Sequence, residues 1–336
     1  MAAGKLNMAG EIFTWRLAAR PIAVPIALLM ALLTPVDAHA HDNTSVVIQR
    51  PIQPIAKTEN ANVRINTTNI TWVADVIAPD FIKVEDPLNG YGIQMLNWFI
   101  TRLPDYDHQI VPLPRRRALD ALRVGKGADQ AVCLPGLARS PERQRELLMS
   151  QTVVPTLPIS VVIRHDAIDQ FQNVTNQRGH INLRALLEDR TLYTALSISQ
   201  SYGPHIDTIL ARAIAAPNVL RTVKQPNFLS MLALDRIDWA LAYPTEIKFH
   251  RRAENIDLDV ISLPIEGGAA LLDLAIACSR SGSGAMIIDR IDKILKSNPD
   301  MPWLDYYTQY LDPADNQRFK TSLKAFYISD TAPNAQ

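Results

Sequence analysis

The chain has 336 residues, of which 47% are apolar and 20% are charged. Its 34 Lys and Arg residues balance 34 Asp and Glu residues, so the net charge gives no support for a nucleic-acid-binding protein. The length and the apolar content exclude a wholly disordered chain and allow two domains of about 100–150 residues.

Residues 1–40 are predicted to be a cleaved secretory signal. Basic residues precede a short apolar run over 22–33, and an Ala-x-Ala motif ends at Ala40. The run is shorter than the roughly 20 residues that span a bilayer, although an uncleaved anchor is the alternative. We therefore expect export to the periplasm, with 41–62 as a linker to the folded part.

From residue 63 the sequence alternates between strand-like and helix-like segments. Hydrophobic periodicity predicts, in order, strand 70–74, helix 92–103, strand 108–113, helix 118–123 and strand 129–134. Strands that alternate with helices are typical of a parallel sheet with crossover helices. We predict an α/β lobe over 63–157, with ligands bound beyond the carboxyl ends of its strands.

A second α/β lobe is predicted over 158–268. The apolar segment 157–164 is expected to be a strand that connects the two lobes. The elements that follow are helix 183–189, strand 192–197, helix 205–215, strand 219–223, helix 228–234 and strand 239–243. The first lobe is completed over 269–326 by a return strand at 271–278. Three helices follow this strand, at 285–295, 303–310 and 316–326. Residues 327–336 are predicted to be a tail.

Arg143 is the leading candidate for a ligand contact. It follows predicted strand 129–134 and stands in a turn where a helix begins, three residues after Ser140. A guanidinium at the carboxyl end of a strand can hold a small carboxylate through two parallel charge-assisted hydrogen bonds. The alternative is an ion pair with Glu142 or Glu146 on a helix surface.

A second candidate is the loop formed by Ser199, Gln200, Ser201 and Tyr202. It follows a predicted strand and precedes a helix that begins near His205. Its amides and hydroxyls can bind an anion at a helix amino terminus. Plain capping of the helix by serine is the alternative.

Several motifs stand in a specific order between residues 68 and 300. They are Pro79-Asp80-Phe81 after the first strand, Gly90-Tyr91-Gly92 at the start of a helix, a Leu-x-x-Gly-Lys turn within 122–129, a Ser-x-x-Arg turn at 140–143 and Met149-Ser150. In this order they resemble type II periplasmic solute-binding proteins, specifically the extracellular amino-acid-binding (family 3) branch that serves ABC importers.

The resemblance implies a two-lobed α/β fold. Each lobe is then a mostly parallel sheet flanked by helices, and two crossover strands join the lobes. It also implies a monomer that closes over a small solute without a cofactor, and an inner-membrane ABC permease or a sensor as its partner. The histidines are scattered without ligand spacing, so no metal site is expected.

The resemblance also implies roles for single residues in the first lobe. Arg143 corresponds to the arginine that grips a ligand carboxylate, and Ser140 to the hydroxyl that precedes it. Phe81 is expected to stack on the ligand, with a place in the core as the alternative. Gly136 and Leu137 lie in the loop where backbone groups meet the ligand.

Tyr243 departs from the family pattern. An acidic residue commonly stands there, after a strand of the second lobe, and holds the ammonium group of an amino acid. Its absence favours a carboxylate-bearing solute in general, either an amino acid or a related acid. Glu246 replaces the missing carboxylate if the turn brings it inward.

Two further functions are consistent with the same fold. One is a dehydratase-like enzyme that acts on a cyclic carboxylic acid, with His205 or Glu246 as the general acid or base. The other is a sensor module without a transport role. The chain contains no Gly-x-Ser-x-Gly, His-Glu-x-x-His or phosphate-loop motif.

Cys133 and Cys278 are the only cysteines. Judged from the residues alone, they are either a disulfide of an exported protein or two buried thiols. The resemblance places the return strand 271–278 beside strand 130–134, within bonding range. Both alternatives stay open at the level of sequence.

Overall fold

A computed structural model of the chain describes residues 68–82, 88–125, 127, 130–212 and 216–331. The predicted signal at 1–40 and the linker at 41–62 lie outside the described residues. Within those residues, no helix is both long enough and apolar enough to cross a membrane.

The described chain is a mixed α/β structure with two five-stranded sheets flanked by helices. The strands are β1 (Thr68–Asp75), β2 (Tyr106–Leu113), β3 (Gln130–Ala138), β4 (Leu148–Thr156), β5 (Ser160–Arg164), β6 (Thr194–Ser197), β7 (Val219–Thr222), β8 (Trp239–Ala242), β9 (Val260–Leu263) and β10 (Leu272–Cys278). The helices are α1 (Tyr91–Ile100), α2 (Arg115–Val124), α3 (Pro141–Glu146), α4 (Leu183–Glu188), α5 (Pro204–Arg212), α6 (Phe228–Ala233), α7 (Pro244–Ala253), α8 (Gly282–Ser297), α9 (Leu304–Thr308) and α10 (Pro313–Thr331), with a 3-10 helix over His165–Val174.

The first sheet has the strand order β2-β1-β3-β10-β4, and the second has the order β7-β6-β8-β5-β9. Strands β1, β2 and β3 are parallel, as are β6, β7 and β8, whereas β10 and β5 are antiparallel to their neighbours. The chain crosses between the sheets at 157–159 and again at 264–271. The carboxyl ends of the parallel strands therefore gather polar loops at one edge of each sheet.

Large aromatic side chains fill the core of the first sheet. Trp72, Phe99, Trp303 and Phe319 are each at most 1% exposed. Burial of one such side chain contributes roughly 1.5–3 kcal/mol. The indole of Trp303 also donates a hydrogen bond of 2.7 Å to the Val153 carbonyl, so its polar atom is satisfied inside the core.

Gly90 fixes the start of α1. Its φ of +108° lies in the region that favours glycine. A Cβ atom at this position would lie 2.4 Å from the carbonyl oxygens of both Pro79 and Asp80. The loop after β1 is thereby held tightly against the helix.

Cys133 and Cys278 form a disulfide. They stand opposite one another in the register of β3 and β10, with Cα atoms 4.1 Å apart, and both are fully buried. The return strand thus lies beside the third strand, as the resemblance implies. The two cysteines are 145 residues apart in the sequence, and the loop that their disulfide closes contains both crossings between the sheets.

The C-terminal segment contacts both sheets. Tyr307 and Phe319 pack in the core of the first sheet, and the Tyr307 hydroxyl accepts a 2.8 Å hydrogen bond from the Leu157 N–H at the first crossing. On the side of the second sheet, Ser262 Oγ of β9 donates to Asp315 at 2.6 Å. Arg318 binds the same carboxylate at 2.9 Å. Helix α10 is therefore fastened to both halves of the fold.

Some element predictions were wrong. The predicted connecting strand 157–164 contains the first crossing, since β5 begins only at Ser160. Strand β4 was missed because polar Gln151 and Thr152 and the proline at 155 interrupt its apolar pattern. Helix α10 runs to Thr331, so the predicted tail is helical up to that residue; neither glycine nor a second proline interrupts it.

Candidate functional site

Polar and ionisable side chains follow the carboxyl ends of strands in both sheets. Asp75 ends β1, and Asp80 lies in the loop after it. Arg115 begins α2 after β2, and Arg143 lies on α3 after β3. Tyr243 and Glu246 follow β8 in the second sheet and Tyr91 begins α1. We call these seven residues the cleft cluster: Asp75, Asp80, Tyr91, Arg115, Arg143, Tyr243 and Glu246.

Residues of both halves contribute to the electrostatic environment within the cleft cluster. Burial raises the pKa of Tyr243, and so does the charge of Glu246 beside it. Further contributions to this pKa come from Arg115, Asp80 and Arg143, which all belong to the first sheet. The interaction of two charges weakens with distance. Groups from both halves of the fold therefore contribute to the environment of Tyr243.

Arg143 has a guanidinium that is held but not neutralised. Its Nη1 donates a 2.6 Å hydrogen bond to the Ala138 carbonyl, and its backbone N–H donates to Ser140 Oγ, which caps α3. Among the described residues, no carboxylate lies within 4.0 Å of this guanidinium. Glu146 instead binds Arg123 at 2.8 Å. The predicted alternative of an ion pair with Glu142 or Glu146 is therefore not what the structure shows.

Arg143 is also partly desolvated. Burial lowers its pKa, and the charge of nearby Arg115 lowers it further. A guanidinium has five N–H donors on a rigid fork, and within the described ranges a protein carbonyl engages one of them, which leaves capacity for a bidentate anion. The position is therefore suited to receive a carboxylate.

Asp75 and Arg115 neutralise one another. Arg115 Nη1 donates to Asp75 Oδ2 at 2.5 Å. Burial nevertheless raises the pKa of Asp75, and the arginine opposes that shift. The second oxygen, Oδ1, is buried and has no hydrogen-bond partner among the described residues. This pair contributes little net charge to the cleft.

Asp80 is the residue that sequence reasoning missed. It follows the cis peptide bond between Ala78 and Pro79. Burial raises its pKa to about 7, the charge of Asp75 raises it as well, and Arg115 opposes the shift. No residue of the described ranges donates a hydrogen bond to its carboxylate. An acidic residue within a Pro-Asp-Phe loop at the end of a strand was the available signal.

Gly92 makes room for the Asp80 carboxylate, and Gly136 lies on its other side. A Cβ atom at Gly92 would lie 2.0 Å from Oδ1. At Gly136, where φ is +76°, a Cβ atom would lie 3.9 Å from Oδ2. The carboxylate therefore fits beside the start of α1 only because Gly92 lacks a side chain, whereas a Cβ at Gly136 would make an ordinary van der Waals contact.

Glu246 is the carboxyl group that the second half of the fold contributes to the cleft cluster. It lies in the first turn of α7 and is 6% exposed, so the turn does bring it inward. Its Oε2 accepts a 2.8 Å hydrogen bond from the Tyr243 N–H. Burial raises the pKa of this carboxyl to about 7, and the hydrogen bond opposes the shift.

Comparison with protein-family models finds no match, and comparison with curated proteins finds none either. Comparison with solved structures does find similar folds. An ancestral cationic amino acid solute-binding protein matches with a TM-score of 0.55 at 13% identity, over 74% of this chain and 97% of its own. A probable amino-acid ABC transporter extracellular-binding protein from Bacillus subtilis matches with a TM-score of 0.53 at 14% identity, over 74% and 99%.

A histidine kinase sensor domain with similarity to periplasmic binding proteins also matches, with a TM-score of 0.50 at 16% identity, over 74% of this chain and all of its own. The chain has the type II periplasmic-binding-protein fold. In that fold, two α/β halves are joined by two crossings, and the cleft cluster consists of residues that end or follow strands of both halves.

Phe81 has a different place in this binding-protein fold from the one predicted. Its ring is 1% exposed and lies in the core of the first sheet, against Gly92 of α1. The prediction that it stacks on a ligand is therefore not supported, and the alternative of a core residue describes what the structure shows. One aromatic position after a proline does not distinguish the two roles.

The loop 199–202 uses its polar groups locally. Ser199 Oγ donates to the Val223 carbonyl at 2.6 Å, and Ser201 Oγ donates to Asp207 at 2.5 Å. The Tyr202 hydroxyl accepts from the Ser197 N–H at 2.9 Å. Of the predicted set, only Gln200 has a buried side-chain oxygen, Oε1, without a partner among the described residues. These contacts satisfy the hydroxyl groups locally, and the serine hydroxyls donate to a carbonyl and a carboxylate rather than cap the N–H groups of α5.

His205 lies outside the cleft cluster of this binding-protein fold. It is exposed, and its Nε2 lies 2.9 Å from the Glu266 carbonyl oxygen. Its ring lines a separate surface cavity of about 320 Å³ that also includes Arg184 and Arg212. The structure therefore does not bring His205 to the position of a general acid or base in the cleft.

Proposed function

We propose that the protein is an exported solute-binding protein whose two lobes close over a small carboxylate-bearing organic solute, an amino acid or a related acid, for uptake or sensing. The lobes are 63–157 with 269–326, and 158–268. The observation that carries the proposal is the Arg143 guanidinium, which follows the carboxyl end of β3, is partly desolvated and has no carboxylate partner within 4.0 Å among the described residues.

Closure follows from the arrangement of the site. A solute held by Arg143 on one side and by groups after β8 on the other stabilises the closed state, because only that state makes both sets of contacts. Two short crossings between the lobes allow such a hinge motion. A charge-assisted hydrogen-bonded carboxylate contributes about 1.5–3 kcal/mol, or roughly tenfold to a hundredfold in affinity.

The predicted signal at 1–40 supports export to the periplasm. The similar solved structures include an ABC transporter binding protein and a kinase sensor domain. An inner-membrane permease or a membrane sensor is accordingly the proposed partner, with the protein itself a monomer.

The test is a calorimetric titration of the purified protein with amino acids and with acids that lack an amine. Arg143→Ala should weaken the best ligand by at least tenfold while the melting temperature of the free protein changes little. Arg145→Ala is the matched control, since Arg145 lies on the same helix with an exposed side chain. Equal losses in both variants, or no binding to the folded wild-type protein, would refute the proposal.

A dehydratase-like enzyme is the second candidate. One observation favours it: Asp80 and Glu246 both have a pKa of about 7, which suits a general acid or base at neutral pH. Turnover of a cyclic carboxylic acid, lost in Glu246→Gln while binding persists, would support it. Binding without turnover across a panel of such acids would exclude it.

A further inference from the structure

Two arginines line one surface cavity in the second half of the fold. The cavity has a volume of about 320 Å³, near the lower end of the roughly 300–1,000 Å³ that small-molecule pockets occupy. Its walls come from the start of α4, from one face of α5 and from the crossing at 264–271. Of the described residues that line it, none is a member of the cleft cluster, so a ligand bound here leaves the cleft free.

Helix α5 forms one wall of the cavity. The residues that line it are spaced i, i+3, i+4 and i+7, which places them on a single side of the helix: His205, Thr208, Ile209 and Arg212. Asp207 is the one acidic residue of α5, and its carboxylate is engaged elsewhere. It accepts from Ser201 Oγ at 2.5 Å and from the Tyr202 N–H at 2.8 Å. The helix therefore presents Arg212 to the cavity without the charge of Asp207.

The start of α4 contributes a second cation and an amide. Arg184 and Asn182 both line the cavity. The Asn182 Oδ1 accepts a 3.0 Å hydrogen bond from the Ala185 N–H, which leaves the side-chain N–H groups of Asn182 to donate to a ligand. Arg184, Asn182 and Arg212 are exposed, so a small anion reaches all three from solvent.

A carboxylate lines the same cavity and still neutralises neither arginine. Glu266 lies in the crossing at 264–271, and its Oε1 accepts a 2.9 Å hydrogen bond from Asn176 Nδ2. Within the described ranges, no carboxylate oxygen lies within 4.0 Å of the guanidinium of Arg184 or of Arg212. With Glu266 ionised, the cavity wall carries two positive charges and one negative charge. A bound anion is therefore attracted by two guanidinium groups that lack an acidic partner.

His205 is held in place against the crossing. Its Nε2 lies 2.9 Å from the Glu266 carbonyl oxygen. Because a carbonyl oxygen only accepts, Nε2 carries the proton and Nδ1 is the ring nitrogen left for a ligand. A Cβ atom at Gly267, where φ is +76°, would lie 3.1 Å from the His205 Cε1 atom. The glycine thus permits the close approach that fixes this ring in the cavity wall.

A phosphate group suits these donors better than a single carboxylate does. It carries a charge of about −1.5 to −2 near pH 7 and has three strong acceptor oxygens, so it can bind two guanidinium forks and an amide at once. Leu183 and Ile209 add apolar surface to the same cavity, against which the organic part of a phosphate ester can pack. We propose that this cavity is a second binding site, for a phosphate group held by Arg184, Arg212 and Asn182. The phosphate is either free or carried by a small organic molecule.

The test is a calorimetric titration of the purified protein in a phosphate-free buffer. The probes are inorganic phosphate, glycerol 3-phosphate and succinate. Phosphate should bind saturably at one site, and succinate, a dianion without a phosphate group, should bind at least tenfold more weakly. Tighter binding of glycerol 3-phosphate than of phosphate supports an ester as the ligand, whereas equal or weaker binding supports free phosphate.

Variants locate the site. Arg184→Gln and Arg212→Gln should each weaken phosphate by roughly tenfold or more, because each removes a charge-assisted contact. Arg252→Gln is the matched control, since Arg252 is exposed on α7 of the same half and does not line the cavity. It should leave the affinity for phosphate unchanged. Circular dichroism and the melting temperature confirm that each variant is folded.

Three results would overturn the inference. They are no saturable phosphate binding to the folded wild-type protein, succinate binding as tight as that of phosphate, and losses in the two cavity variants no larger than in Arg252→Gln. If Arg143→Ala removes phosphate binding while the cavity variants do not, the anion binds in the cleft and the inference is also overturned. The solute-binding proposal is unaffected by any of these results, because it is tested with amino acids and other acids at Arg143.

Discussion

The ligand-free protein should become more stable when the pH falls from 7.5 to 5.5. The perturbation acts through Asp80 and Glu246, whose pKa values are about 7 in the folded chain, against ordinary values of 3.8 and 4.5. At pH values between the ordinary pKa and the folded pKa, these carboxyl groups are protonated in the folded state and ionised in the unfolded chain. Stability therefore rises as the pH falls through 7, and this contribution is lost as the pH rises.

The magnitude follows from the same pKa values. Between pH 7.5 and pH 5.5, one carboxyl with a folded pKa of about 7 adds at most about 2 kcal/mol to the free energy of unfolding. Asp80 is partly exposed, so solvent screening and local relaxation reduce its share. We expect about 1 kcal/mol from each group, or a rise in melting temperature of roughly 4 °C for the pair.

Urea denaturation at the two pH values, followed by circular dichroism, measures the effect directly. The double variant Asp80→Asn/Glu246→Gln is the comparison, because its neutral side chains cannot titrate. Burial also raises the pKa of Asp75 and Asp315, so part of the pH dependence should survive in that variant. An identical pH dependence in wild type and double variant would refute the reasoning.

Two further predictions concern stability. Replacing both Cys133 and Cys278 with alanine should lower the free energy of unfolding by roughly 2–5 kcal/mol, because the disulfide closes a long loop. Urea denaturation midpoints with and without reductant measure this loss. Reductant should have no effect on the double variant. Gly92→Ala should destabilise the protein and flatten the pH dependence of its stability, since the new Cβ would lie 2.0 Å from Asp80 Oδ1. The control is Gly282→Ala, whose Cβ meets no atom within 4 Å. This variant should leave both the melting temperature and the pH dependence of stability unchanged.

The fold was predictable because its signals are local. Alternating strand and helix patterns were sufficient to indicate most of the parallel strands and their helices. Strand β4 was missed also because its pairing partner, β10, lies more than a hundred positions away in the sequence. The pairing of Leu272 with Thr156 is not encoded in the periodicity of either segment.

The site was only partly predictable, for a related reason. Arg143 and Tyr243 stand after strands, so their positions could be inferred from strand ends. The environment of Asp80 depends on Gly92, on Asp75 and on Arg115, which three separate elements contribute. The desolvation of Asp80 arises only when these elements pack together, so no short sequence motif predicts it.

The attachment of α10 to both sheets has a consequence for folding. Asp315 and Arg318 follow β5 and β9 in the chain, and their hydrogen-bond partners lie on those two strands. Until they arrive, Ser160 and Ser262 at the centre of the fold lack these hydrogen bonds. These contacts of α10 therefore form only after β5, β9 and α10 have all been synthesised.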